Sequence, residues 1–462
     1  MSLLDDLSAA LGDRLCLEPG VLDAHRHDAW ALSQIRDQRG DPPPRPLAVV
    51  AATSTADVQV TLRLCSRAGV SVVPFGAGSG VVGGVSTAAD QVVLSTAKMS
   101  GLVSLSAEDL TATFLAGTRG DVAEAICQEA GLTIGHWPQS IALSSVGGWV
   151  ATRASGQLST GYGNIEDIVL DLEVVLPDGQ ILTTKRIPRA AAGPDLRHLF
   201  LGSEGTTGVI TTVTFSLRPL PAVSRGAAVH FATLSDGLDA IRRIIREGWR
   251  PTVARLYDAA ETRRQFDAWC PDGRCILLLL HEGPAGLVEA QEAGCAALCQ
   301  TSGTATDVAA VDSWLAVRNH VPTLGQLSAI GLVVDTIEVS AAWSRIGAVY
   351  DAVTASLSEV PELVAVSAHA SHAYRSGVNL YFTFVAQPAE RAEMERVYTE
   401  CWRRTMEATA AAGGGISHHH GIGRVRRDFM PRELGAVGVD VLRRLKTALD
   451  PDGILNPGVM IP

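Results

Sequence analysis

Iron–sulfur and structural-zinc chemistry lack their ligands in this chain: eight cysteines are scattered over 462 residues and no CxxC pair occurs. Cys295 and Cys299 stand four apart, a helical spacing at which they serve as small apolar residues. Any electrons must then reside on an organic cofactor. Positive charge is short as well. A net charge of -11 offers no cationic surface to a phosphate backbone, which excludes nucleic acid as a partner. Long apolar runs are missing: the longest, such as 276–280, are strand-sized and far below a bilayer span. The opening Met1-Ser2-Leu3-Leu4-Asp5-Asp6 has neither the basic start nor the apolar stretch of a secretory signal, so a cytoplasmic enzyme is expected. There is no repeat at solenoid spacing.

What is present is a globular composition, 47% apolar with 45 glycines, long enough for two or three domains. Residues 1–41 form an N-terminal segment, expected to be helical, that ends in Asp41-Pro42-Pro43-Pro44. A capping box, Ser54-Thr55-Ala56-Asp57, opens a helix whose inner face is Val58, Leu62 and Cys65 and which Gly69 ends. A buried strand over 70–74 runs into Gly76-Ala77-Gly78-Ser79-Gly80, and another strand follows at 92–95. A helix over 121–130 stops at Gly131. Strands over 168–176 and 180–184 flank the turn Pro177-Asp178-Gly179, and 208–217 alternates like one more strand. Pro219 and Pro221 mark the end of a domain spanning 42–222. From 223 to 415 the texture changes to helices (237–247, 287–300, 342–357, 389–411) and strands (252–257, 363–368, 378–385), an α+β domain. The final segment, 416–462, carries one helix and the turn Asp450-Pro451-Asp452-Gly453.

Glycine after a strand lets backbone N–H groups approach a pyrophosphate, because no Cβ stands in the way. Gly78-Ser79-Gly80-Val81-Val82-Gly83 even spells GxGxxG, but that pattern must open a helix, and the next strand arrives too soon for one. The lysine of a phosphate-binding P-loop is also missing. Two further clusters of small and hydroxyl residues accompany the loop: Pro138-Gln139-Ser140 with 144–156, and Gly202-Ser203-Glu204-Gly205-Thr206-Thr207-Gly208. Three such clusters separated by strands suit an extended dinucleotide.

Their order and wording resemble the FAD domain of the vanillyl-alcohol oxidase and p-cresol methylhydroxylase (PCMH-type) flavoproteins over about residues 42–222, and again at Asn456-Pro457-Gly458. The resemblance implies an α+β protein. Its FAD-binding fold would consist of two α/β subdomains, with a cap domain over the flavin and a C-terminal segment returning to it. It places the pyrophosphate on Pro74, Gly76, Ala77, Gly78, Ser79 and Gly80. The rest of the flavin falls to Pro138, Ser140, Ser144, Ser145, Gly148, Thr152, Ser155, Gly156, Glu204, Ile210 and Asn456. His136 precedes the second cluster, yet related sequences with a histidine there do not generally link flavin through it, so noncovalent FAD is expected.

Within that family the chain is most similar to the alkylglycerone-phosphate synthases, which form the ether bond of ether lipids. The shared phrases are 147–156, Tyr162-Gly163-Asn164-Ile165-Glu166-Asp167, Arg255-Leu256-Tyr257-Asp258 and Ser417-His418-His419-His420-Gly421-Ile422-Gly423. His372-Ala373-Tyr374 stands at that family's active-site tyrosine, and Trp314 with Arg318 at its Trp-x-x-x-Arg phrase. Chemically, a histidine triplet before a glycine turn can present a base near neutral pH, and Tyr374 can relay a proton. Arg255 and Arg318 can fork onto a carboxylate or phosphate, or serve as internal ion-pair partners. The related D-2-hydroxy acid dehydrogenases hold a metal at positions that here read Tyr374, Tyr381 and His419. No divalent metal is therefore expected, with His369 and His372 the pair that could still take zinc.

Two enzyme readings follow. In the synthase reading oxidised FAD serves a redox-neutral exchange of the fatty acid of an acylglycerone phosphate for a long-chain alcohol. His419, His420 and Tyr374 move protons, and Arg255 or Arg318 holds the phosphate. In the oxidoreductase reading a base among His372, His419 and His420 takes the hydroxyl proton of a 2-hydroxy acid or other alcohol, and electrons leave to oxygen, a quinone or a carrier protein. The shared phrases favour the first; a chain shorter than the peroxisomal synthases, without their targeting extension and C-terminal tripeptide, favours the second, and the two stand nearly level. A flavin-binding module without activity is the third reading, and the family suggests a homodimer.

Overall fold

A computed structural model of the chain describes residues 2–270, 273–321 and 324–462. In its first sheet Ala48–Ala51, Val92–Ser95 and Val72–Phe75 run parallel, with Leu15–Cys16 as an antiparallel edge. Consecutive residues of these strands enter two different cores. Val50, Val72 and Leu94 meet the helices Leu3–Leu11 and Thr55–Ala68, while Val49, Val73 and Val93 pack with Leu22 and Phe75. Burial on both faces is why they read as unbroken apolar runs. The capping box at Ser54 and the left-handed cap at Gly69 (φ 65°) sit where the sequence puts them. No helix is long and apolar enough to cross a membrane among the described residues.

An antiparallel five-stranded sheet follows, in the order Leu102–Ser106, Thr111–Leu115, Val209–Ser216, Val169–Val175, Ile181–Thr183. The helices Gly120–Glu129 and Val146–Thr152 cover it through Ala123, Cys127, Trp149 and Val150. The chain's end comes back to the first sheet: Val72 donates to Ile454, and Asn456 donates to Val72.

The seven-stranded antiparallel sheet runs Gly303–Thr306, Val223–Phe231, Cys275–Gly283, Val253–Tyr257, Leu363–Ala370, Gly377–Ala386, Val333–Ala342. One face is buried under the helices Leu234–Arg246, Ala285–Cys299, Ile346–Ser358 and Met394–Ala411. Its other face holds the site described below.

Several expectations shift here. The helix expected over 342–357 begins only at Ile346, because Val339–Ala342 are held in register against Gly377–Leu380. That expected over 389–411 begins at Met394, after a short 3-10 turn at Arg391–Glu393. The N-terminal segment is helical at Leu3–Leu11, Pro19–Ala24 and Ala31–Gln38 but also lends the strand Leu15–Cys16 to the first sheet. Several strands have no counterpart in the sequence reading, among them Ala48–Ala51, Leu102–Ser106, Thr111–Leu115, Val223–Phe231, Gly303–Thr306 and Val333–Ala342. The last hides its character behind two acids. Asp335 is buried because Tyr398 (2.7 Å) and Trp402 (2.9 Å) donate to it, and Glu338 because Arg426 reaches it.

Candidate active site

Sheet register builds the site. Tyr257 lies opposite His369, His369 opposite Tyr381, and Tyr381 opposite Glu338. Four side chains on four adjacent strands thus form one row on the face opposite those four helices, with the His369 and Tyr381 rings stacked at 4.8 Å. Arg255 anchors at one end of the row and the histidine triplet at the other.

At the triplet end, one carboxylate shapes a loop. Glu338 Oε1 accepts the backbone N–H of His418 (3.2 Å), His419 (3.1 Å) and His420 (2.8 Å), and the Ser417 hydroxyl (3.1 Å). Its Oε2 takes Arg426 at 2.5 Å and His420 Nδ1 at 2.8 Å. Both Glu338 and Arg426 have fully buried side chains. Burial opposes ionisation, but the Arg426 and His420 charges hold Glu338 well below the usual carboxylate range. Glu204 ties the same loop from the other side, accepting from Ile422 (2.7 Å) and Gly423 (2.8 Å). Burial raises its carboxyl to about 7, against those two hydrogen bonds.

So held, the loop aligns three rings. Tyr374 Oη lies 2.7 Å from His418 Nε2 and donates to Asn164 Oδ1 at 3.2 Å, an oxygen that also accepts from Ser155. His418 Nδ1 and His419 Nδ1 are 2.8 Å apart. His372 stacks on His418 at 4.8 Å, its Nδ1 fixed 2.6 Å from the Ser159 hydroxyl. Burial and mutual repulsion push His372 and His419 well below their ordinary value and His418 down to about 4. Burial raises Tyr374 to about 12. The cluster is neutral imidazole and phenol at pH 7. Facing ring nitrogens at hydrogen-bond distance require that one donates and the other accepts. A proton leaving one end of Tyr374–His418–His419 can therefore be replaced from the other.

These depressed imidazoles carry a stability signature. Below pH 6.5 the unfolded chain protonates His418 while the folded chain holds it neutral until about pH 4, so stability falls on acidification through that window. Unfolding free energies from urea titrations at pH 7 and pH 5 should differ by about 2 kcal/mol more in the wild type than in His418→Gln. Equal pH dependence in the two would show that the ring titrates normally.

At the other end, Arg255 Nε donates to Tyr257 Oη (2.6 Å) and a terminal nitrogen donates to His369 Nε2 (2.6 Å). Arg318 sits over Trp137 at 4.6 Å, and both guanidiniums lie within 6 Å of the Trp314 ring. Neither pairs with a carboxylate among the described residues, and burial lowers Arg318. A cavity of about 610 Å³ opens among Thr152, Ser155, Asn164, Glu204, Tyr374 and His418.

The cofactor residues of the sequence reading divide by what occupies them. No N–H from Gly76 through Gly80 donates to a protein group among the described residues, and a Cβ at Gly76 would stand 2.7 Å from Ser145 Oγ. A Cβ at Gly156 would stand 2.4 Å from the Trp137 nitrogen, and Gly78 has φ 69°. Free backbone donors in a cradle with no room for side chains fit a dinucleotide pyrophosphate. Thr152, Ser155 and Glu204 line the cavity, and Ser145 caps the helix Val146–Thr152 by accepting from Gly148. Ser144 is occupied internally, accepting from Trp149 (2.8 Å) and donating to the Ser140 carbonyl. Ile210 packs in the core of the five-stranded sheet, and Pro74 lies against Gly205. Pro138 accepts from Ile141 in the turn that leads to Ser144. Asn456 (φ 39°) bridges Gly84 and Glu204 carbonyls. His136 is buried with both ring nitrogens unpartnered and pushed down to about 3 by burial.

Of the catalytic set, Tyr374, His372, His418 and His419 come together, while His420 turns back to Glu338 and the two arginines form a separate end. His369, paired with His372 in the sequence reading as a possible zinc site, is held by Glu261 and Arg255. Instead the ligand-capable nitrogens of His372, His418 and His419 lie within 4.8 Å of one another. Glu338, Arg426, Glu261 and Ser159 escaped the sequence reading. The alternation of apolar residues around Glu338 in 333–342 is the signal that could have placed it.

The "FAD linked oxidases, C-terminal domain" family matches residues 220–460 and the "FAD binding domain" family residues 46–185. The chain belongs to the FAD-linked oxidases and binds FAD as an enzyme of that class. It is 34% identical over 441 residues to the uncharacterized FAD-linked oxidoreductase YgcU of Escherichia coli (strain K12), covering 91% of this chain and 90% of that one. To the alkyldihydroxyacetonephosphate (alkylglycerone-phosphate) synthase of Trypanosoma brucei brucei it is 29% identical, covering 96% and 76%. A solved alkyldihydroxyacetonephosphate synthase superposes with a TM-score of 0.82 at 24% identity, over 98% of this chain and 85% of that one. The fold is the two-domain FAD-binding fold that the family resemblance implies.

Proposed function

We propose that the chain oxidises the alcohol carbon of a small anionic substrate, such as a 2-hydroxy acid, at noncovalently bound FAD. The observation that carries this reading is the neutral chain Tyr374–His418–His419, beside a cavity lined by small and polar residues. FAD, held by Gly76–Gly80, Ser145, Thr152, Ser155 and Gly156, supplies acceptance of a hydride. The residues do the rest. A cluster imidazole takes the hydroxyl proton, directly or through Tyr374, whose phenol gives its own proton to His418 as it accepts the substrate's, and the His418–His419 contact carries the charge away from the reacting carbon. Arg255 and Arg318, lacking carboxylate partners, hold the anion against the Trp314 ring. Electrons taken from the substrate would leave to oxygen, a quinone or a carrier protein.

A second reading, ether formation from an acylglycerone phosphate and a fatty alcohol, is favoured by the likeness to the trypanosomal synthase over 96% of this chain. Against it stands the cavity lining, whose apolar members are the short Ala341, Ala342, Val378 and Ile422. Those offer little to a long alkyl chain.

The test is a panel of D-2-hydroxy acids, their methyl esters, simple alcohols, and acylglycerone phosphate with a fatty alcohol, added without oxygen to the yellow protein. Bleaching by an acid, with roughly tenfold or weaker response to its ester and to Arg255→Gln, is the expected result. Ether product at constant flavin absorbance would establish the second reading instead. Acid precipitation should leave the flavin in the supernatant; flavin in the pellet would mean a covalent bond.

A further inference from the structure

Arg255 is a long, half-buried side chain beside the Trp314 ring, and its orientation has a traceable cause. The strand Val253–Tyr257 runs straight into the helix Ala259–Gln265. Asp258 makes the turn by accepting the N–H of Glu261 (2.8 Å), while its other oxygen accepts the N–H of Ala368 (2.7 Å) and the Tyr350 hydroxyl (3.1 Å). That clasp fixes the first turn of the helix against the neighbouring strand and drops Glu261 beneath His369. Both Glu261 carboxylate oxygens lie 3.2 Å from His369 Nδ1, and the two side chains are 4% and 6% exposed. A buried carboxylate accepts only, so His369 Nδ1 carries the hydrogen and Nε2 presents its lone pair. Arg255 donates to that lone pair at 2.6 Å. Tyr257, two residues along the same strand, takes Arg255 Nε at 2.6 Å and crosses the sheet to pack on His369 at 5.3 Å.

We infer that Glu261 and His369 are positioning residues that act through Arg255, fixing its guanidinium so that the remaining N–H groups face a bound anion. The inference rests on the reading of Arg255 as an anion clamp. Glu261 sets the ring tautomer, the tautomer sets an acceptor, and the acceptor occupies one arm of the fork. An imidazole acceptor, unlike a carboxylate, orients the guanidinium without neutralising it, so the charge stays available to the substrate. A carboxylate contacting Arg255 directly would have aimed it equally well and cancelled it.

The experiment is a double-mutant cycle on the FAD-loaded protein with oxalate, a dianion that cannot be oxidised at a carbinol carbon, titrated against the flavin spectrum. Oxalate binding should weaken roughly tenfold in His369→Phe, stay within about twofold of wild type in His369→Gln, whose carboxamide oxygen can still accept, and weaken in Glu261→Leu. In the Arg255→Gln background, His369→Phe should cost nothing further. An equal loss from His369→Phe in both backgrounds, or no rescue by Gln, would overturn the positioning role while leaving the clamp intact. Arg255→Gln binding oxalate as well as wild type would remove the clamp itself. The flavin content of each variant, read in the same spectrum, separates these results from loss of the fold.

Discussion

Tyr374→Phe is expected to lower the rate of anaerobic flavin bleaching by roughly 10²–10³-fold while leaving FAD content and substrate affinity within a few-fold of wild type. The substitution removes one oxygen. That oxygen is the end of the chain through His418 to His419, and it also donates to Asn164. Phenylalanine keeps the ring that packs at 5.6 Å from His418, so the cavity keeps its shape. A residue that only filled space would give near wild-type rates as phenylalanine. Because burial raises Tyr374 to about 12, the phenol stays protonated throughout the working pH range, and the loss should be nearly independent of pH between 6 and 9. A loss that shrinks steeply at high pH would show that solvent hydroxide takes over the proton transfer the phenol serves.

The second large effect lies outside the cavity. Glu338→Leu should destabilise the protein by about 3–5 kcal/mol, because it leaves Arg426 buried without its partner. For the domain concerned this corresponds to a fall in Tm of roughly 10 °C. The loop should suffer in addition, since the backbone N–H groups of His418, His419 and His420 lose their shared acceptor. Replacing both partners, Glu338→Leu with Arg426→Met, is expected to recover most of the stability and little of the activity. Recovery of both would show that Glu338 serves packing alone. The pH sign follows from the depressed carboxylate: its contribution is present above the unfolded carboxyl range and is lost as pH falls through the lower folded value. Acid loss from the imidazole cluster, by contrast, begins below pH 6.5.

What could be read from the sequence was local. Capping signals placed the helix Thr55–Ala68 to the residue, and turn residues placed the strands around Pro177-Asp178-Gly179. Glycine and hydroxyl clusters indicated a dinucleotide without any knowledge of how they meet. The histidine triplet stood out as chemistry-bearing, whereas Tyr374 was marked only by the family resemblance. Their arrangement was another matter. Tyr257, His369, Tyr381 and Glu338 are spread over 124 positions of chain and become neighbours only through strand pairing, which no local pattern encodes. The strand Val333–Ala342 was hidden because acids at Asp335 and Glu338 break its apolar character, and each is tolerated only by partners far along the chain. Ser144 and Ile210 show the converse: small and apolar residues inside a flavin-like phrase that the fold uses for its own hydrogen bonding and core.

The most direct measurement is a single anaerobic turnover of the yellow protein with the acid that bleaches it, once with hydrogen and once with deuterium on the carbinol carbon. The account predicts one equivalent of keto product per flavin bleached, and slower bleaching with deuterium because that bond breaks as the flavin is reduced. An unbleached flavin with every acid and alcohol, together with ether formation from acylglycerone phosphate and a fatty alcohol, would contradict it.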